Sequence, residues 1–372
     1  MAYTKEQKYW IWLSSVYGLG AKKFDALLDA CGEPQKVWEN FGGWMEPLLG
    51  KRAYDALRAA RNIRYAEELF VNLEQCGAAA ITRNDPEYPP LLRAIPDPPP
   101  SLFVRGRADL ADARTLAVVG ARGCTAYGTR MARRIGHGLS EAGVTVVSGL
   151  ARGVDSAAHQ GALDARARTI AVLGCGVDVI YPPEHAALVE EILSNGGSVI
   201  SELLPGTPPV GKHFPVRNRI ISGLSQGVLL VEAGAKSGAM STVTYAQEQG
   251  REIMALPGQA DSPLSQSTNA LIRDGGRLVT SVDEILEDMR WERKIQAAED
   301  ARNTAPALPM TQAEQRVYNL LAGGPADTDA LVDMAELAPP ELNSLLTIME
   351  LQGLIRKLPG RKVERIGTMM EE

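Results

Sequence analysis

From Thr115 onward, short apolar runs alternate with helix-like stretches: TLAVVGARG, VTVVSGLARG, RTIAVLGCGVD, GSVISELLPG, GVLLVEAG, REIMALPG and GRLVTS. Each run is too short for a helix and apolar on both of its faces. That pattern predicts strands buried on both sides, as in a parallel sheet. Strands that alternate with helices predict an α/β, doubly wound, mostly parallel sheet covered by helices. Ligands of such sheets bind beyond the carboxyl ends of the strands. Three of the runs end there in glycine turns: Gly120-Ala121-Arg122-Gly123, Ser148-Gly149-Leu150-Ala151-Arg152-Gly153 and Gly174-Cys175-Gly176. Glycine lets backbone approach a ligand closely, and helix N-termini favour anions, so phosphate is the expected guest.

The chain has 372 residues, enough for two or three domains. Residues 1–82 read as helical. Helix-like EQKYWIWLSS leads through VYGLG into a second apolar-faced segment with Phe24, Leu27 and Leu28. The Gly-x-Gly turn resembles a helix-hairpin-helix able to aim N–H groups at a phosphate, but a tight turn in a small helical bundle is the favoured reading. NDPEYPPLLRAIPDPPPSLFVRG is proline-rich and predicts an extended connector without helix. The sheet domain is placed at 83–290 and a linker at 291–309. Residues 310–372 read as three short helices and a basic hairpin, a winged-helix pattern.

Net charge is -6 and the sequence pI about 5.5, which taken alone argues against nucleic acid. Ligands respond to local fields, however, and the charges are unevenly spread. Between Ala113 and Ser140 there are five arginines (Arg114, Arg122, Arg130, Arg133, Arg134) and no acid. Between Leu203 and Val231 stand Lys212, Arg217 and Arg219, again without an acid. The four cysteines and four histidines have no metal-ligand spacing, so neither a metal nor a disulfide is expected. No signal peptide or membrane-length apolar run is read, and a cytoplasmic protein is expected. The first glycine turn, GARGCTAYG, is neither GxGxxG nor a P-loop, so no nucleotide cofactor is expected.

GKHFPVRNRIISGL, residues 211–224, adds something a nucleotide pocket does not need. Phe214 stands beside Lys212, Arg217, Asn218 and Arg219. A base can stack on the ring while the cations hold phosphates on either side. The alternative is a packed Phe214 with arginines paired to carboxylates elsewhere.

The segments VVGARGCTAYG, VVSGLARGVDSAAHQGAL, FPVRNRIISGLSQGVLLVEA, KSGAMSTVTYAQEQGREIMALPG and STNALIRDGG, in that order, resemble the DNA-processing protein A (DprA/Smf) family. The resemblance implies an extended Rossmann-like domain that dimerises and carries a single-stranded DNA groove. It implies a non-enzymatic role in natural transformation, in which the protein protects incoming strands and helps load the recombinase RecA onto them. By motif, Arg122 is the phosphate-binding arginine, Phe214 the aromatic, and Lys236 with Ser237 and Gly238 a further contact. Ser148, Gly149 and Gly153 of the second glycine turn complete the expected DNA-binding set with Lys212, Arg217, Asn218 and Arg219. A basic residue often stands three before the phenylalanine; here that place is Gly211, and Lys212 follows it.

The main alternative is a nucleotide-processing enzyme of the phosphoribohydrolase type. Its PGGxGTxxE signature supplies a catalytic glutamate, whereas this chain reads EAGAKSGAMSTVTYA, with Glu232 before the glycine. Glu232 and Asp155 are the carboxylates left to consider, and Asp155 is expected to cap a helix. A third reading makes the winged helix a regulator. Its acidic second helix and a third helix without basic residues supply little for base readout, which favours a protein contact or weak duplex binding.

Overall fold

The computed structural model describes residues 3–292 and 311–365, apart from 336, 352, 353, 359 and 361. The chain divides into two compact units, Met1–Gln296 and Ala297–Glu372.

The first unit is built on a nine-stranded sheet. Its strands are β1 (Ala79–Thr82), β2 (Ser101–Gly106), β3 (Thr115–Val119), β4 (Thr145–Ser148), β5 (Thr169–Val172), β6 (Ser198–Ser201), β7 (Gly227–Leu230), β8 (Glu252–Ala255) and β9 (Arg277–Leu278). They lie in the order β1-β2-β6-β5-β4-β3-β7-β8-β9. From β6 to β9 every pairing is parallel. The chain steps outward from β3 through β4 and β5 to β6, then returns to start again at β7 on the other side of β3. That reversal opens a crevice beyond the carboxyl ends of β3 and β7.

The seven predicted runs are β3 to β9. The apolar content of β3 to β7 follows from burial on both faces, whereas β8 is buried only at its end and β9 is an exposed edge strand of two residues. Ala117, Val119, Val228 and Leu230 pack under the helices His213–Gly223 and Met240–Glu248 through Ile220, Ile221 and Val243. Leu116, Val118, Val146 and Leu229 face the helices Ala126–Glu141 and Val154–Asp164 through Ile135, Leu139 and Ala158.

The proline-rich segment departs from expectation. It contains one short helix, Pro90–Arg93, because proline is tolerated at the first helical position and Leu92 has a core to enter. Its last residues are no linker but β2, which pairs antiparallel with β6 on one side and with β1 on the other. The helical region therefore ends at Gln75, and Ala79–Thr82 already belongs to the sheet.

Six helices precede the sheet: Lys5–Ser14, Ala21–Cys31, Pro34–Glu39, Met45–Leu49, Lys51–Ala60 and Ile63–Gln75. They enclose a core of Trp10, Trp12, Phe24, Leu27 and Leu57. Ile11, Leu69 and Leu73 join that core to Ala80 and Phe103 of the sheet, which makes the helices part of the same compact unit.

In the second unit, helices Gln312–Leu320, Thr328–Ala335 and Pro339–Leu351 close on an antiparallel sheet of Ala326–Asp327, Lys362–Arg365 and Ile355–Leu358. Val317, Leu331, Leu346, Ile355 and Val363 form its core. Among the described residues, these three helices and the hairpin make a winged helix. The expected linker lies mostly outside the described residues. Among the described residues no helix is long and apolar enough to cross a membrane.

Candidate nucleic-acid interface

A groove of about 850 Å³ occupies the crevice beyond β3 and β7. One wall is the first glycine turn, Gly120 to Gly123. The loop Gly234 to Ala239 and the start of helix His213–Gly223 also line it. Phe214 is half-buried there. Its ring rests on the turn after β5, where a β-carbon at Gly174 would lie 2.8 Å from the ring; glycine is needed for that approach. Tyr181 stands beside it, ring centroids 5.4 Å apart and tilted by 38°.

Two guanidinium groups approach the Phe214 ring, Arg122 at 5.4 Å and Arg217 at 5.9 Å from its centroid. They differ in kind. Arg122 is exposed and has no ion-pair partner among the described residues, so its charge faces the groove. Arg217 is 4% exposed and donates to the carbonyls of Gly149 (2.9 Å) and Val172. Burial pulls its pKa down to about 10, a shift that nearby Asp155 opposes, so it stays charged at neutral pH. Asp155 Oδ2 accepts from the N–H groups of Gly149 (3.1 Å) and Ala151 (3.4 Å). A β-carbon at Gly149 would lie 2.7 Å from both Arg217 and Asp155, so only glycine fits between them. Next to it Leu150 holds φ of 56°, uncommon for a bulky residue.

Lys236, Ser237 and Gly238 line a wall of the groove, with Lys236 exposed. Asn218 ties that wall to the helix, its amide donating to the Gly238 carbonyl (3.3 Å) and Ser241 Oγ (2.8 Å). The groove thus offers an aromatic face, two exposed cations in its lining, Arg122 and Lys236, and a glycine-rich backbone.

The family description for DNA recombination-mediator protein A matches residues 79–290, and that for the DprA winged helix domain matches residues 300–361. Protein Smf of Synechocystis is 33% identical over 97% of this chain and 99% of its own length. Protein Smf of Escherichia coli is 40% identical over 77% of this chain and 78% of its own. The chain belongs to the DNA-processing protein A family. The DprA structure from Streptococcus pneumoniae superposes with a TM-score of 0.65 at 33% identity, covering 77% of this chain and 99% of that one. The structure of DprA from Helicobacter pylori, described as having a single-stranded DNA binding mode, gives 0.52 at 28% identity over 57% and 95%.

Other residues of the expected DNA-binding set do not line the groove. Arg219 points away from the groove. It is 3% exposed and pairs with Asp97 (3.0 Å) and Glu202 (2.7 Å). The acid-free stretch in sequence is therefore not acid-free in space, since Asp97 and Glu202 arrive from other segments. Ser148 is fully buried and donates to the Val118 carbonyl at 2.6 Å. Gly153, with φ of 77°, precedes helix Val154–Asp164 and does not line the groove. Lys212 is exposed at the start of its helix, whereas Gly211 lines the groove. Asp155 does not cap its helix; it lies in the first turn and ties the preceding loop. Glu232 is 4% exposed and accepts from Thr125 N–H (2.8 Å) and Oγ1 (2.7 Å). Sequence reasoning passed over Tyr181, whose ring meets Phe214. The cue was there in an aromatic shortly after the third glycine turn.

Proposed function

We propose that this DNA-processing protein A family member binds single-stranded DNA in the groove around Phe214, without strong sequence preference. One observation carries the reading: the exposed Arg122 sits over a half-exposed aromatic face in a groove that exposed Lys236 also lines. Any base can stack on the ring while the two cations hold backbone phosphates. Arg217 lies buried beside the ring, held by the carbonyls of Gly149 and Val172, and braces the platform. The net charge of the chain does not weigh against this, because the groove has its own field. The single-stranded DNA binding described for the H. pylori relative supports the same reading.

In the cell the protein shields strands taken up in natural transformation and helps load RecA recombinase onto them, acting in the cytoplasm as a homodimer through its sheet domain. It works by binding, not catalysis. The carboxylates nearest the groove favour this: Asp155 and Glu232 are both buried and already accept hydrogen bonds from neighbouring backbone. The test is binding of labelled oligo-dT and of a blunt duplex across a salt series, beside hydrolysis of nucleoside monophosphates. Preference for oligo-dT that weakens as salt rises is expected. Equal affinity for the duplex, or turnover of the nucleotides, overturns it.

A further inference from the structure

A second cleft, about 760 Å³, lies next to the groove. It is bounded by the start of helix Ala126–Glu141 and the loop after β8. The two share their dividing elements. The first glycine turn lines the groove as far as Gly123, and the cleft begins at Thr125. On the other side Pro263, Leu264 and Gln266 face the groove, whereas Ser262 and Ser265 face the cleft.

The cleft repeats the chemistry of the groove. Tyr127 is 37% exposed, and its hydroxyl donates to the Pro257 carbonyl at 3.3 Å. That wall is itself held: Gly258 N–H donates to Asn269 Oδ1 (3.1 Å), and Asn269 Nδ2 returns a bond to the Gly258 carbonyl (3.0 Å). The tyrosine is thus anchored at its tip with a face left open. Arg130, one helical turn on, is exposed and has no ion-pair partner among the described residues. The only carboxylate lining the cleft among the described residues, Glu232, is buried under its bonds to Thr125, although exposed Asp261 stands on the adjoining loop.

We infer that this cleft is a second nucleotide subsite for the same DNA strand, with a base against Tyr127 and a backbone phosphate on Arg130. A strand leaving the Phe214 groove over Gly123 enters it directly. The inference rests on the proposed single-strand binding and extends it from one platform to two.

The two subsites make affinity depend on oligonucleotide length. The test is a series of oligo-dT lengths titrated against the full chain and its Tyr127→Ala, Tyr127→Phe and Arg130→Gln variants, with thermal melting as a fold control. The shortest oligomers bound by the wild type occupy the Phe214 groove alone, and all four proteins are expected to bind them alike. Longer oligomers are expected to gain affinity in the wild type and in Tyr127→Phe. Tyr127→Ala and Arg130→Gln are expected to lose about tenfold of that gain, and Arg130→Gln to lower the salt slope by about 0.7 for one lost phosphate contact. A length dependence unchanged in both folded variants overturns the second subsite and leaves the first standing. Equal losses on the shortest and longest oligomers also overturn it. Failure of the wild type to bind any oligo-dT overturns both readings.

Discussion

Truncation of Phe214 separates a stacking platform from a packing residue. The ring is half-buried, seated on Gly174 and beside Tyr181. Truncating a fully buried phenylalanine costs about 3–5 kcal/mol, so a half-buried one costs roughly 2 kcal/mol. A domain with at least about 5 kcal/mol of stability then remains about 99% folded at 25 °C. Unfolding therefore cannot account for a large loss of binding. If one base stacks on the ring, Phe214→Ala weakens oligo-dT binding by about 1–3 kcal/mol, roughly fivefold to 150-fold. Phe214→Leu sharpens the test. It keeps most of the apolar volume but offers no π-face, so it is expected to melt close to the wild type and still lose about tenfold in affinity. Phe214→Tyr keeps the face and is expected to bind almost normally. Fluorescence anisotropy with labelled oligo-dT, beside thermal melting of the same samples, reads both quantities. Wild-type affinity in the folded leucine variant would refute stacking and make Phe214 a packing residue.

Arg122→Ala is expected to weaken binding evenly across sequences and lower the salt slope by about 0.7, since it removes one phosphate contact; an unchanged slope in the folded variant would make Arg122 structural. Arg219→Ala strands Asp97 and Glu202 and is expected to cost about 3 kcal/mol of stability, seen as a lower melting temperature, with affinity per folded molecule retained; loss of affinity at full stability would place Arg219 at the DNA. Burial lowers the pKa of His159 to about 3, below its ordinary 6.5. The unfolded chain therefore binds this proton first, so stability contributed by neutral His159 falls with pH below 6.5, by about 1.4 kcal/mol per unit, until roughly pH 3. His159→Gln is expected to flatten that part of the pH dependence measured by denaturant unfolding, and parallel wild-type and variant profiles would contradict it. Removal of residues 297–372, the second compact unit, is expected to leave oligo-dT affinity within about twofold, because the groove lies wholly in the first; a larger loss would bring the winged helix into single-strand binding.

What could be read from sequence followed the range of the interactions involved. β3 to β7 were legible because burial on both faces leaves an unbroken apolar imprint on a few consecutive residues, and β8 and β9 because their short runs continue the same alternation with helices. β1 and β2 were not, since β2 follows a proline-rich segment that reads as a connector, and its partner β6 begins 92 residues after β2 ends. The same distinction runs through the site. Arg122 and Phe214 belong to short motifs whose surroundings are set by adjacent residues, and the fold brings both to one groove. Arg217 and Arg219 looked equivalent, two cations in a stretch without acids, yet they lie two apart on a helix and so point in different directions. One turns under Phe214 toward Gly149, and the other meets Asp97 and Glu202, which are 122 and 17 residues away. A local count of charges registers neither partner. The field in the groove is therefore set by which cations the tertiary structure leaves unpaired, and among those the groove presents Arg122 and Lys236.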